Sequence, residues 1–272
     1  MPFVGVGVGI LNTKFGSSLD PDANSFIVAA GITDPTEILA INQLVIDLKA
    51  YSLWDILYAI YPFVGGTSNS NSYNLKAVDL FQITWYGGVT YSSNGVIFNG
   101  INSYGDTGYD EANSETSSDT HRSIYDRSTS ADFGVQIGVQ DSGGAYQRHL
   151  IYTNYSGNYY MDCYDSLDNY GRLTGSNGGS DAFWLHSRSS SAAGAFKAYK
   201  NGAFLKQSTQ AVYGTQPNLV TYIGGLNASG VLSQVTTHNL AFASMGASIP
   251  DNLVDDYYLA VQTFQTTLGR EV

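Results

Sequence analysis

A single cysteine, Cys163, stands in 272 residues, so no disulfide can form within the chain and the fold must be held by packing. Basic residues are scarce too. Twelve Lys and Arg against 23 Asp and Glu leave a formal charge of −11, and no run of Lys or Arg occurs. Such a surface repels phosphate backbones, which argues against nucleic acid as a partner. The apolar start, Met1 to Ile10, is too short to span a bilayer and lacks the basic opening of a secretory leader, so neither membrane insertion nor signal-directed export is expected. Glutamate occurs only as Glu37, Glu111, Glu115 and Glu271. Glycoside cleavage needs two carboxyl groups projecting into one cleft, and none of the four falls on an expected strand. Asp162 and Asp165 would point to opposite faces of a continuing strand. His121, His149, His186 and His238 are isolated in the sequence, and one cysteine cannot build a thiolate site, so no zinc centre is expected. Gly5, Gly7 and Gly9 lack the rest of a nucleotide-binding fingerprint, and no Gly-x-Ser-x-Gly elbow occurs. No catalytic residue and no metal ligand is therefore assigned.

What is present favours strands. The chain holds 30 Gly, 21 Tyr and 12 Phe with only 13% charged residues, a composition suited to many strands joined by tight turns. Within Phe196-Lys-Ala-Tyr-Lys-Asn-Gly-Ala-Phe-Leu-Lys206, Asn201-Gly202 predicts a two-residue hairpin turn, because this pair tolerates positive φ. Just upstream, Asp181-Ala-Phe-Trp-Leu-His-Ser-Arg188 alternates. Phe183 and Leu185 fall on one face, read as core, and Trp184, His186 and Arg188 on the other, read as a wet aromatic surface. Phe133, Val135, Ile137 and Val139 alternate inward, and Ser93-Asn-Gly95 predicts a further hairpin. Tyr146 to Tyr152 reads as a strand of ambiguous parity. Tyr159, Met161 and Cys163 then share an apolar face opposite Tyr160, Asp162 and Tyr164. The polar stretch Asp110 to Arg127, with Glu111, Glu115 and Asp119, reads as a surface loop.

Helices flank the strands. Val4, Val6 and Val8 alternate with glycines, either as a flexible sheet-edge arm or as a docking arm that adds a strand to a neighbouring subunit. Lys14 to Ser25 reads as a linker. Asp34-Pro35-Thr36-Glu37 opens a helix with an apolar stripe at Ile38, Ile41, Val45 and Leu48. Ser52-Leu-Trp-Asp55 opens a second, short helix ended by Pro62. Ser248-Ile-Pro-Asp251 reads as the capping box of a C-terminal helix with Leu253, Tyr257, Val261, Phe264 and Leu268 on one side and Gly269 at its end.

The strands of 181–188 and 196–206, followed by Thr221-Tyr-Ile-Gly-Gly225, resemble the laminin G-like branch of the concanavalin A-like lectin and glucanase sandwiches. Tyr61-Pro-Phe-Val-Gly-Gly-Thr67, Asn74-Leu-Lys76 and Ala260-Val-Gln-Thr-Phe-Gln-Thr-Thr-Leu-Gly-Arg-Glu-Val272 resemble segments that bracket such a sandwich in proteins of phages and prophages of Bacteroidota bacteria. The resemblance implies a mainly β fold, an antiparallel concanavalin A-like jelly roll with a short N-terminal helical pair and a C-terminal helix. The expected parts are an extended arm and linker (1–33), a helical collar (34–62), the sandwich (63–247) and the helix (248–272). It also implies a non-enzymatic virion structural protein such as a head fibre, tail fibre or capsid decoration. Its place would be the virion surface, its partners other virion proteins, copies of itself and host surface polysaccharide. The Glu-x-Asp-x-x-Glu strand typical of members that cleave β-glucans is absent, so a carbohydrate-active enzyme on the same fold is the alternative. A spacer without a ligand is a third reading.

A sugar site needs aromatic platforms beside hydrogen-bonding groups, which makes Trp184, His186, Arg188, Tyr160, Asp162 and Tyr164 its candidates. These aromatics equally suit packing under loops or a subunit interface. Val4, Val6 and Val8 are the candidates for particle attachment. No cofactor is expected. Calcium, which laminin G-like domains sometimes hold, would have its oxygen ligands in the Asp-rich stretch from Asp162 to Asp168.

Overall fold

The computed structural model describes residues 18–141, 147–164, 171–212 and 214–272. The Val4, Val6 and Val8 arm and residues 165–170 of the Asp-rich stretch lie outside them. Two sheets form an antiparallel sandwich, as the sequence predicts. In the eight-stranded first sheet the order is Ala203–Gln207, Phe196–Lys200, Ala182–Arg188, Thr120–Asp126, Asn239–Gly246, Gly95–Ile97 and Thr90–Ser92, with Leu57–Tyr61 also paired to Asn239–Gly246. The nine-stranded second sheet runs Leu173–Ser176, Asn158–Cys163, Arg148–Tyr155, Ile137–Gln140, Val220–Ile223, Tyr104–Asp110 and Thr84–Tyr86. Its remaining members are Leu226–Ala228, parallel to Ile137–Gln140, and Val231–Ser233. Lys200 faces Ala203 across the Asn201-Gly202 turn, where both central residues have positive φ as that hairpin requires.

Alternation sends Ile124, Trp184, Phe196, Ala198 and Met245 of the first sheet and Ile137, Ile151, Tyr159, Met161 and Cys163 of the second into one buried core between the sheets. The other face of the first sheet is not open to water. Tyr125, Phe183, Leu185, Tyr199 and Phe242 pack there in a second core, beneath three helices of the same chain: Pro21–Ala30, Pro35–Ala50 and Val254–Thr267. The long helix presents Ile41, Val45 and Leu48 and the last one Tyr257, Val261 and Phe264, the stripes read from their spacing. Double cover explains why every residue of Ala182–Arg188 and Thr120–Asp126 is buried.

Several local readings need correction. Pro21–Ala30 is helical where a linker was expected; Asp20 accepts from the Asp22 N–H, Pro21 sits at the first position and Gly31 closes the helix in the left-handed region. The second collar helix is instead a 3₁₀ turn, Trp54–Ile56, followed by the strand Leu57–Tyr61, so the sheet begins inside the expected collar. Asn74 closes that strand's far edge, accepting from the Ile60 N–H (2.9 Å) and donating to the Tyr58 carbonyl (3.1 Å). The expected loop from Asp110 to Arg127 contains the fully buried strand Thr120–Asp126. Phe133 is 68% exposed rather than inward, because Asp132 bends the chain by accepting from the Gly134 and Thr237 N–H groups, and the chain pairs first through a single bridge at Val135, with the continuous strand beginning at Ile137. No capping box opens the last helix: Asp251 is drawn sideways to Tyr199 and Lys197.

Two buried polar clips close the sandwich. Arg270 is buried and donates to the carbonyls of Pro62 (2.7 Å), Phe63 (2.7 Å) and Ala241 (2.9 Å), which ties the C-terminus to the first sheet. Arg270→Met strands those acceptors, each at about 1–3 kcal/mol. We expect a loss of about 3 kcal/mol in urea unfolding, and a change under about 1 kcal/mol would show that water replaces the guanidinium.

The second clip is His238, whose Nδ1 lies 2.6 Å from Asp126 and whose Nε2 lies 3.6 Å from Asp132. Burial presses the ring toward neutrality, but Asp126 and then Asp132 outweigh it and raise its pKa above the ordinary 6.5. A raised folded value means that the pair's stabilisation is complete below about pH 6.5 and fades as pH climbs through the folded value. In an NMR titration the His238 ring protons should turn over above pH 6.5; a midpoint at or below 6.5 contradicts the pairing.

Candidate functional site

The expected sugar-binding residues divide between the inside and the outside of the sandwich. Trp184, His186 and Arg188 do share a strand face, but that face is the interior between the sheets and all three are buried. The Trp184 indole N–H donates to the Ser180 carbonyl (2.7 Å), and its ring lies 5.6 Å from that of Tyr159. The wet-surface reading fails because the helices bury the Phe183 and Leu185 face as well, a cover invisible in the strand's own alternation. Tyr164 is also inside: its φ of 62° breaks the alternation after Cys163 and turns the ring toward the core. Only Tyr160 and Asp162 remain on the outer face of the second sheet.

The interior holds charged groups that were expected on the surface. Glu111 is fully buried and Glu115 is 9% exposed. Arg122, on the central strand of the first sheet, pairs with both; its Nη1 lies 3.3 Å from Glu115, and its Nη2 bonds Glu111. His149 Nδ1 lies 3.1 Å from Glu111, 3.0 Å from Glu115 and 2.9 Å from the Tyr164 hydroxyl, which also bonds both carboxylates. Tyr109 donates to Glu115 (3.0 Å), and Thr221 bonds Glu111. Burial opposes the charge of Glu111, but Arg122 and then His149 prevail and hold the carboxyl far below its usual range. Burial and the Arg122 charge likewise oppose protonation of His149; Cys163, Glu115 and Glu111 outweigh them and hold its pKa above the ordinary range. Burial, followed by the charges of His149 and Arg122, holds the neighbouring His186 neutral. The two carboxylates thus share their partners and are sealed from solvent, so no sugar ring can lie between them in this conformation. His149, His186 and Cys163, far apart in sequence, meet here, and the expectation of isolated histidines is corrected.

The outer face of the second sheet has a different character. His149, Ile151 and Thr153 turn inward, which settles the parity of that strand and leaves Arg148, Leu150 and Tyr152 outside. Tyr152, Tyr155 and Tyr160 form an edge-to-face group: Tyr155 is 5.8 Å from Tyr152 and 5.6 Å from Tyr160, and the exposed Phe133 lies 5.0 Å beyond Tyr155. The Arg172 guanidinium sits 5.3 Å over the Tyr160 ring and grips Asp162 through two nitrogens, at 2.9 and 2.7 Å. Arg148 Nε lies 3.0 Å from the same carboxylate. Asp162, offered as a calcium ligand, is thereby committed to two guanidinium groups. Further along this face Tyr86 stacks on Tyr104 at 4.9 Å, and Tyr104 meets Tyr222 at 4.5 Å. Tyr152, Tyr155 and Arg172 are not among the site candidates read from the sequence and Phe133 is read there as core, although the density of tyrosines from 152 to 160 is a usable signal.

No protein-family model matches the chain, and no curated protein sequence does. Solved structures do share its architecture. Domain 4 of AbnA, a GH43 extracellular arabinanase from Geobacillus stearothermophilus solved in complex with arabinotriose, superposes with a TM-score of 0.51 at 14% identity, over 74% of this chain and 98% of that one. A botulinum neurotoxin type C structure, described with cell entry dependent on two ganglioside molecules, gives 0.55 at 9% identity, over 78% of this chain and 53% of that one. At such identities the likeness establishes the fold alone, a β-sandwich.

Proposed function

We propose that the chain is a non-catalytic, carbohydrate-binding sandwich that displays the outer face of its second sheet to glycans. The observation that carries this reading is the partly exposed group of Phe133, Tyr155 and Tyr160, flanked by the guanidinium of Arg172. Sugars stack their C–H faces on such rings and take hydrogen bonds at the margin. The carboxylates that hydrolysis would need are shut between the sheets, each committed to Arg122 and His149. The likeness of 61–76 and 260–272 to phage segments supports a place on a virion surface, with other virion proteins and copies of the chain as partners and host polysaccharide as the ligand.

Retention on immobilised host surface polysaccharides tests the reading. Tyr155→Ala with Phe133→Ala should weaken retention at least about tenfold, since each stacked ring contributes on the order of 1 kcal/mol. Trp184→Phe should lower stability, through lost packing, but leave retention intact. A folded protein that no polysaccharide in a broad panel retains sinks the binding role. Release of new reducing ends, lost on Glu115→Gln, would instead establish the enzyme reading.

A further inference from the structure

His149 and Cys163 stand directly opposite each other on neighbouring strands of the second sheet, with their side chains turned toward the first sheet. His186 meets them from the other side of the sandwich, 4.9 Å from His149 between ring centroids. One nitrogen of each imidazole and the Cys163 sulfur all lie within 4.8 Å of one another. All three side chains are completely buried.

Hydrogen bonding singles the cluster out. His149 Nδ1 is engaged by Glu111, Glu115 and Tyr164, but its Nε2 has no partner, and neither ring nitrogen of His186 has one. Buried polar atoms in native proteins are nearly always satisfied, and here three imidazole nitrogens on two rings lack a partner while one nitrogen of each ring lies close to a thiol. A proton on any one of them would satisfy none of the others.

We propose that His149, Cys163 and His186 bind one zinc(II) or copper(I) ion, which fastens the two sheets together. Thiolate with imidazole suits these ions, whereas calcium and magnesium need oxygen ligands. The carboxylate contacts at His149 Nδ1 supply the outer partner that metal-binding histidines usually have, orienting the ring with Nε2 toward the ion. Of the charged groups around the site, Glu111 and Glu115 are paired with Arg122, and Arg188 donates to the Cys163 carbonyl at 3.3 Å. A second set, Glu111, Glu115 and His149, also has ligand atoms close enough for an ion, but Arg122 already holds its carboxylates. Because the site is enclosed, the ion enters during folding. The Cys163 S–H bond and the His149 Nε2–H bond break, sulfur–metal and nitrogen–metal bonds form, and both protons pass to solvent while His149 Nδ1 keeps its own toward Glu111 and Glu115, with no change of oxidation state.

The test starts from full-length chain unfolded in guanidinium with reductant and chelator, then refolded with cobalt(II), the spectroscopic stand-in for zinc, or anaerobically with copper(I). About one metal per chain should survive gel filtration and raise the melting temperature. The cobalt form should show near-ultraviolet thiolate-to-metal absorption. Cys163→Ser should abolish that band, and His186→Phe, which keeps the ring's volume, should weaken retention at least about tenfold. Cys163→Ala replaces the serine variant if circular dichroism shows the latter unfolded. Native wild-type protein that retains neither ion overturns the proposal. So does metal retained equally by the Cys163 and His186 variants, which would place it elsewhere. Neither outcome bears on glycan retention, which is read on the opposite face of the second sheet.

Discussion

The structure depends on burying the first sheet on both faces. A sheet packed on one side alternates apolar and polar residues, whereas one packed on two sides has no face to give to water. Here the second sheet covers one side, and the helices Pro21–Ala30, Pro35–Ala50 and Val254–Thr267 cover the other. Neither layer can stand alone, since a helix stripe and an open apolar sheet face each need a partner. The sandwich and its helical cover are therefore one folding unit, and the Arg270 contacts to Pro62, Phe63 and Ala241 seal the join where the chain ends.

Double burial also explains the polar interior. Thr120–Asp126 is the central strand of the first sheet, and its sequence, Thr-His-Arg-Ser-Ile-Tyr-Asp, would suit a surface. It lies inside because each polar group finds a partner there: Arg122 with Glu111 and Glu115, Ser123 with Tyr257 and Ser244, and Asp126 with His238 and Thr153. A buried ion pair gives little net stability, but its geometry is demanding. Removing one member would strand the others, so the network fixes a single register between the sheets.

Local signals in the sequence were reliable where the physics is local. The Asn201-Gly202 hairpin, the Asp34 cap and the apolar stripes of two helices follow from backbone preference and spacing, and all are present. Other local readings failed, since Pro21–Ala30 is a helix, Ser52 opens no second helix and Ser248 no capping box, but the failure that mattered for the site was assigning faces to water. Trp184, His186 and Arg188 alternate with Phe183 and Leu185 in the order a half-buried strand would show, and nothing within those residues reveals that helices distant in sequence cover the second face. The same limit hid Glu111 and Glu115, whose burial depends on Arg122 and His149 arriving from two other strands. At the aromatic face, Tyr160 was legible by parity. Phe133 was misplaced because the Asp132 side chain bends the chain just before its first bridge, at Val135.

The two sheets consequently carry different burdens. The first, closed on both sides, offers a ligand little beyond its edges. The second has one closed face, where charge and unpaired imidazole are concentrated, and one open face, where Tyr155 and Phe133 are held by neighbouring rings. Aromatic rings on a binding surface are effective when their orientation is set beforehand, because less side-chain freedom is then lost on contact. Here that orientation rests on the Arg172–Asp162 pair beneath Tyr160 and on the Asn158–Cys163 strand, whose other face carries Met161 and Cys163 into the core. The rigidity of the open face is thus inherited from the closed one.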